Sequence, residues 1–335
     1  MRLVKYIASV LIVFVVHTAF SQEYTSKAHA MYKIGNYDSA RVYIDQAIES
    51  PEKSNSQTWQ LRGLIYRKLE TPQTLQYRDV AIESFIVARE VDTAGIYKDK
   101  INEYLLNTIV RYYNDAVTLL NEGRYAESER SYVVYKEKYI QLLDPARDFR
   151  NEDISYYNAL GSGYSKQLVR LSGKEYDIVF TLAVNSLSKV LEADSMNYTA
   201  NLNIGVLYYN RGADLILNQD PENTDLELLL ENIATAEKLF LKALPLMQKA
   251  YALNPTNIDV LEGLSGIYYG LNDMENHQKY QTMLDTIMLP KYLEAYQNNP
   301  TDKEIVRQLV RIYSSTLKDN EQYLKFKTIL DQLGG

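Results

Sequence analysis

Histidine is the side chain best suited to acid–base work near neutral pH, and this sequence has three, His17, His29 and His277. His17 falls in an N-terminal segment expected to be removed. His29 and His277 have no nucleophile paired with them in sequence, so both read as surface or helix-packing residues. Asp273-x-Glu275-x-His277 offers three metal-binding side-chain types, but steps of two do not share one face of a helix, and no metal is expected there. Gly161-Ser162-Gly163 lacks a preceding strand and a third glycine, so it is not a phosphate loop; close helix packing explains it better. The chain contains no cysteine, which excludes disulfides, thiolate metal sites, a cysteine nucleophile and a lipid-bearing N-terminal cysteine. No catalytic residue, cofactor or metal is expected.

The elements that would position any site are helices. In the stretch Ala243 to Pro255, Ala243, Met247, Ala250 and Pro255 fall at intervals of four, three and five, and the first two intervals keep small and large apolar residues on one helical face. Trp59, Gly63 and Tyr66 repeat intervals of four and three in another helix. Together these residues resemble the tetratricopeptide repeat, in which a Trp-x-x-Leu-Gly-x-x-Tyr helix precedes an Ala-x-x-x-Phe-x-x-Ala helix ending near a proline. The resemblance implies an all-α fold, a right-handed superhelical α-solenoid of helix-turn-helix repeats, and identifies an architecture without an activity.

Repeat units are expected over about 24–54, 56–92, 96–140, 154–195, 198–255, 258–285 and 286–331. The first turns at Gly35-Asn36-Tyr37, and the second carries a loop insert from Thr71 to Asp79. The first helix of the third unit starts early, near Ile96. The fifth opens with Ile204, Gly205 and Tyr208 and carries an insert broken at Asp220-Pro221, with both helices extended and Pro245 kinking or restarting the second. The apolar residues Leu226, Leu228, Leu229, Leu230 and Ile233 are too many for a solvated helix, so that extension should pack on a neighbouring repeat or on a partner. In the sixth unit His277 and Gln281 are polar where Ala and Phe are usual, and a further helix is read from about Pro290 to Asn298. Small residues such as Gly63, Gly161 and Gly205 let backbones approach. Tyr66, Tyr164, Tyr208, Tyr268 and Tyr313 hold the motif position and read as core.

Composition narrows the partners. The 335 residues carry 36 Lys+Arg against 43 Asp+Glu, a net charge of -7, which disfavours a sequence-independent grip on nucleic acid or an anionic membrane. Arg2, Lys5, the apolar run Tyr6 to Val16 and Ala19-Phe20-Ser21 have the layout of a secretory signal over residues 1–21, with cleavage expected before Gln22. An uncleaved anchor is the alternative, though the run is short against the ~20 residues a span needs. No later stretch reads as a membrane span, so the mature chain is expected in the bacterial periplasm or outside the cell.

Residues one step beyond the motif positions turn ~100° toward the groove lined by first helices, which the resemblance marks as a ligand surface. They are Gln60, Arg67, Asn158, Ser165, Tyr209, Glu262, Tyr269, Arg307 and Arg311, and the alternative for each is an ordinary solvated face. Tyrosine and arginine are the types that anchor protein interfaces. The reading is a non-catalytic scaffold that binds a protein or peptide in that groove. A carbohydrate-handling module and an enzyme with its site under the fifth-repeat insert are the alternatives.

Overall fold

A computed structural model describes residues 23–217 and 225–334. The expected signal segment, its cleavage point before Gln22 and the Asp220-Pro221 break lie outside the described residues. Within them the chain is all-α, fourteen α-helices joined in seven consecutive pairs, and it divides into two compact units, Met1–Asp148 and Phe149–Gly335.

The first unit contains α1 (Glu23–Lys33), α2 (Tyr37–Ile48), α3 (Ser56–Leu69), α4 (Gln76–Val91), α5 (Lys98–Asn121) and α6 (Tyr125–Leu142). Its reversals form where the sequence supplies left-handed backbone, Gly35 at φ 78° and Gly123 at φ 77°, a region open to glycine at little cost. Asn36 then caps α2, its Oδ1 accepting from Ser39 N at 3.1 Å. Glu52, buried on a short 3-10 turn, caps α1 from a distance in sequence, accepting from Tyr24 N at 3.0 Å and Thr25 N at 2.8 Å. Ala28, Ala40, Ile44, Ala47, Leu61 and Ile65 form one core where the first two pairs meet. The first helices α1, α3 and α5 also touch in succession, the tetratricopeptide-like way of stacking pairs that cannot bury an apolar face alone.

The second unit contains α7 (Arg150–Leu168), α8 (Gly173–Ala193), α9 (Tyr198–Leu217), α10 (Leu226–Leu253), α11 (Ile258–Gly270), α12 (Met274–Asn298), α13 (Lys303–Arg311), a π turn over Ile312–Thr316 and α14 (Asn320–Gln332). Glycines set the spacing within its pairs. A Cβ on Gly161 would lie 2.5 Å from Leu187 Cγ, and one on Gly205 2.8 Å from Met247 Cγ. Tyr164, Tyr268 and Tyr313 are buried, and Tyr208 is half-buried against Phe180.

The sequence reading begins a new helix near Pro290, whereas α12 passes through that proline without a break, as α10 passes through Pro245. A mid-helix proline forfeits one backbone bond and strains the turn before it. Both helices are held on either side of it: Ala243 and Met247 flank Pro245 in the core, and Leu289, Tyr292 and Leu293 around Pro290 pack on the last helix pair. Packing outweighs the local penalty, and the extra length of α12 carries one wall of the site described next.

Candidate functional site

Helix α11 starts at Asn257, whose Oδ1 accepts from Val260 N at 3.0 Å, and α12 starts at Asp273, whose Oδ1 accepts from Asn276 N at 3.1 Å. Hydrogen bonds from Asn276, side chain first and backbone second, hold the Asp273 carboxyl below its ordinary range. Asn272 takes the left-handed turn between the helices at φ 59°. With that reversal fixed, Ser265 on α11 faces His277 and Gln281 on α12, one helical turn apart.

A hydrogen-bonded chain follows. His277 Nδ1 lies 2.9 Å from the Ser265 carbonyl oxygen and 3.1 Å from Ser265 Oγ, and Ser265 Oγ donates to Gln281 Oε1 at 2.9 Å. Gln281 Nε2 donates to Asp285 Oδ1 at 2.9 Å. Asp285, 1% exposed, also accepts from Arg311 Nη2 at 2.7 Å on Oδ1 and from Arg311 Nη1 at 3.0 Å on Oδ2. Thr316 Oγ1, brought round by the π turn, donates to the same Oδ2. Four donors therefore occupy the lone pairs of one carboxylate. Arg311 Nε completes the chain on Gln308 Oε1 at 3.1 Å.

This chain walls a cavity of about 560 Å³, to which Ile258, Leu284, Met288 and Tyr292 add apolar surface and Glu262 a carboxylate. Asp285 and Arg311 neutralise each other, and Glu262 makes no ion pair among the described residues, so it is the charge left for a ligand. The proximity of Ser265 and His277 does not make a nucleophile and base. A carbonyl oxygen only accepts, so His277 Nδ1 carries its hydrogen toward Ser265 O, and the Ser265 proton is directed to Gln281. The site is a preset wall of donors and acceptors beside apolar surface, an arrangement suited to binding.

Of the sequence-predicted surface, Glu262 and Arg311 line this cavity; Tyr269, 62% exposed, does not line it, but its ring lies 5.2 Å from that of His277, which does. Arg307 is exposed on α13, 3.5 Å from Glu304 Oε2. Tyr209 differs from the expectation of an open groove position. Its ring lies 6.0 Å from Phe240, and its hydroxyl end occupies the space a side chain at Gly266 would fill. Burial, with the nearby Glu262 charge second, raises its phenol above the ordinary range. Ser165 bonds its own helix through Gly161 O at 2.8 Å, and Asn158 donates to Asn197 Oδ1 at 3.3 Å.

Gln60 is buried in the first unit and donates to Ser56 Oγ at 3.0 Å; it lines a separate cavity of about 340 Å³ with His29, Tyr32 and Leu64. Arg67 lies over Tyr104 at 5.9 Å, with burial first and the Arg111 cation second lowering its tendency to hold a proton. A third cavity, about 590 Å³, borders the α3–α4 loop. There the buried Glu70 receives Arg78 and, at 2.6 Å, Arg111, while Arg78 also reaches Asp115 at 2.7 Å. Every charge in that network has a partner, which marks it as a fastening for the loop.

Among the described residues no group of His, Asp and Glu is gathered as a metal site, and no helix is long and apolar enough to cross a membrane. Asp273, Glu275 and His277 instead serve the start of α12, where Asp273 caps it and His277 packs back on α11.

No family model matches the chain, and no curated protein matches it. The solved structures similar to this chain include two pilus-related proteins. PilW, described as a widely conserved type IV pilus biogenesis factor, is 18% identical over 79% of this chain and 92% of its own, with a TM-score of 0.29. The pilF protein of Pseudomonas aeruginosa is 12% identical over 92% of this chain and 96% of its own, also with a TM-score of 0.29. At those TM-scores neither likeness carries an argument, and the architecture rests on the helix pairs themselves.

Proposed function

We propose that this chain is a non-catalytic scaffold of the bacterial cell envelope that holds a polypeptide segment in the cleft of α11, α12 and the π turn. The observation that carries the reading is the fixed chain from His277 to Gln308, which lines a cavity with satisfied polar groups and leaves apolar side chains and one carboxylate, Glu262, for a partner. Bound segments gain from a wall that needs no reordering. Because Arg311 is committed to Asp285 and Gln308, a segment presenting Lys or Arg to Glu262 suits the cleft better than an acidic one.

A photo-crosslinking residue placed at Gln278, on the cleft wall, tests this in the cells that make the protein. The expected result is a discrete protein adduct that a crosslinker at the exposed Glu321 of α14 does not form. Equal labelling from both positions, or adducts containing only sugar, would refute a polypeptide in the cleft. The export half of the proposal rests on Arg2, Lys5 and Tyr6 to Val16; intact mass of the native protein should begin at Gln22, and retention of residues 1–21 would refute cleavage.

A further inference from the structure

The N-terminal part of α10 presents an apolar stripe that no described element covers. Leu226, Leu230, Ile233 and Leu241 lie within about 80° of one another around the helix at 100° per residue, and they are 67%, 59%, 43% and 54% exposed. Glu237 interrupts the stripe on the same face. The adjoining face, Ala236, Phe240, Ala243 and Met247, is buried against α9 and α11, so the stripe is additional to the surface that holds the helix in its unit. Its sixteen residues, from Leu226 to Leu241, span about 22 Å, roughly four helical turns.

Beside the stripe runs a flank that changes sign halfway along. Glu227 and Glu231 occupy its first half and Lys238 and Lys242 its second, with Lys242 Nζ 5.6 Å from the ring of Tyr208 on α9 of the same copy. In a parallel two-fold pair the two flanks would fall on opposite sides of the seam, and no Glu would meet a Lys. Reversed about a centre between Ile233 and Ala234, Leu226 of one copy meets Leu241 of the other and Ile233 meets Ala234. Glu227 then lies two residues, about 3 Å, out of register with Lys242, and Glu231 the same from Lys238, within reach of the long lysine side chains and twice over by symmetry. Helix pairs select orientation through such flanking charges.

We propose that the stripe is a self-association surface, on which the first four turns of α10 pair antiparallel with those of a second copy of this chain about a two-fold axis. A self-complementary patch of this kind closes on itself as a dimer. The contact is small, so the dimer is a weak one.

Sedimentation velocity of the purified full chain over a concentration series tests the proposal. The wild type should move from monomer to dimer. Leu230→Glu with Ile233→Glu should raise the dissociation constant by about tenfold or more without moving the melting midpoint, since both side chains are solvent-facing. Two charge variants test the register. Glu227→Lys with Glu231→Lys, and Lys238→Glu with Lys242→Glu, should each weaken the dimer alone and restore it when mixed, because only the mixed pair places opposite charges on both flanks. A wild type that stays monomeric throughout overturns the proposal, as does a dimer indifferent to the α10 substitutions. A chain that stays monomeric but sediments with anionic lipid vesicles through the same leucines gives the stripe to a membrane surface and also overturns it.

Discussion

Arg311→Met keeps most of the side-chain stem and removes the cation from the centre of the cleft. Asp285 is then 1% exposed with two bonds, from Gln281 and Thr316, in place of four. Breaking a fully buried ion pair costs about 3–5 kcal/mol. The Arg311 side chain is 38% exposed, so water screens part of the attraction and relieves part of the loss, which brings the expected cost to about 2 kcal/mol. The second unit spans Phe149–Gly335, a size for which 1 kcal/mol shifts Tm by about 2–4 °C, giving a fall of about 4–8 °C in that unit's transition. Differential scanning calorimetry on Arg311→Met, Asp285→Asn and the double variant reads both the cost and the coupling. The double variant should be more stable than the two single losses added together, by about 1 kcal/mol or more. Strict additivity, or single losses under about 0.5 kcal/mol, would show that the pair does not organise the cleft.

Three further outcomes follow from the geometry. Gly205→Leu forces a side chain into Met247 and should cost about 1–3 kcal/mol; an unchanged melting midpoint would remove the close approach from the account. Glu70→Gln leaves Arg78, whose side chain is buried, with Asp115 as its remaining carboxylate, and should destabilise the first unit by about 3 kcal/mol. A loss confined to the second unit's calorimetric transition would contradict it. Asp273→Ala removes the α12 cap, and because the folded carboxyl titrates below its usual value of 3.8, the stability it contributes is present above that value and lost as pH falls through the lower folded one. The gap between wild type and variant in urea unfolding should therefore be full at neutral pH and close in strong acid; a gap independent of pH would refute the charged cap.

The repeat architecture was legible because its signals are local. Gly161 and Gly205 sit where neighbouring side chains leave no room for a Cβ, and Tyr66, Tyr164, Tyr268 and Tyr313 lie on the buried face that their spacing indicates. The candidate site was legible in part. His277 and Gln281 stand out in sequence as polar residues at apolar positions, and they form one end of the cleft's bonded chain. Asp285 and Thr316 were missed. Asp285 lies where the sequence reading ends a repeat, although α12 continues through Pro290, and Thr316 reaches it from a π turn, which leaves no periodic trace. The ~100° offset that placed Tyr209 in the groove describes one helix by itself; it does not register that Gly266 on α11 leaves a space for the ring.

The most direct measurement of the cleft's role is the affinity of the segment crosslinked through Gln278, titrated by calorimetry against wild type, Glu262→Ala and Tyr269→Ala. Both positions are exposed, so their loss leaves Tm in place. The dissociation constant should be about tenfold higher for each. Affinity unchanged in both variants, with the segment still bound, would contradict that role.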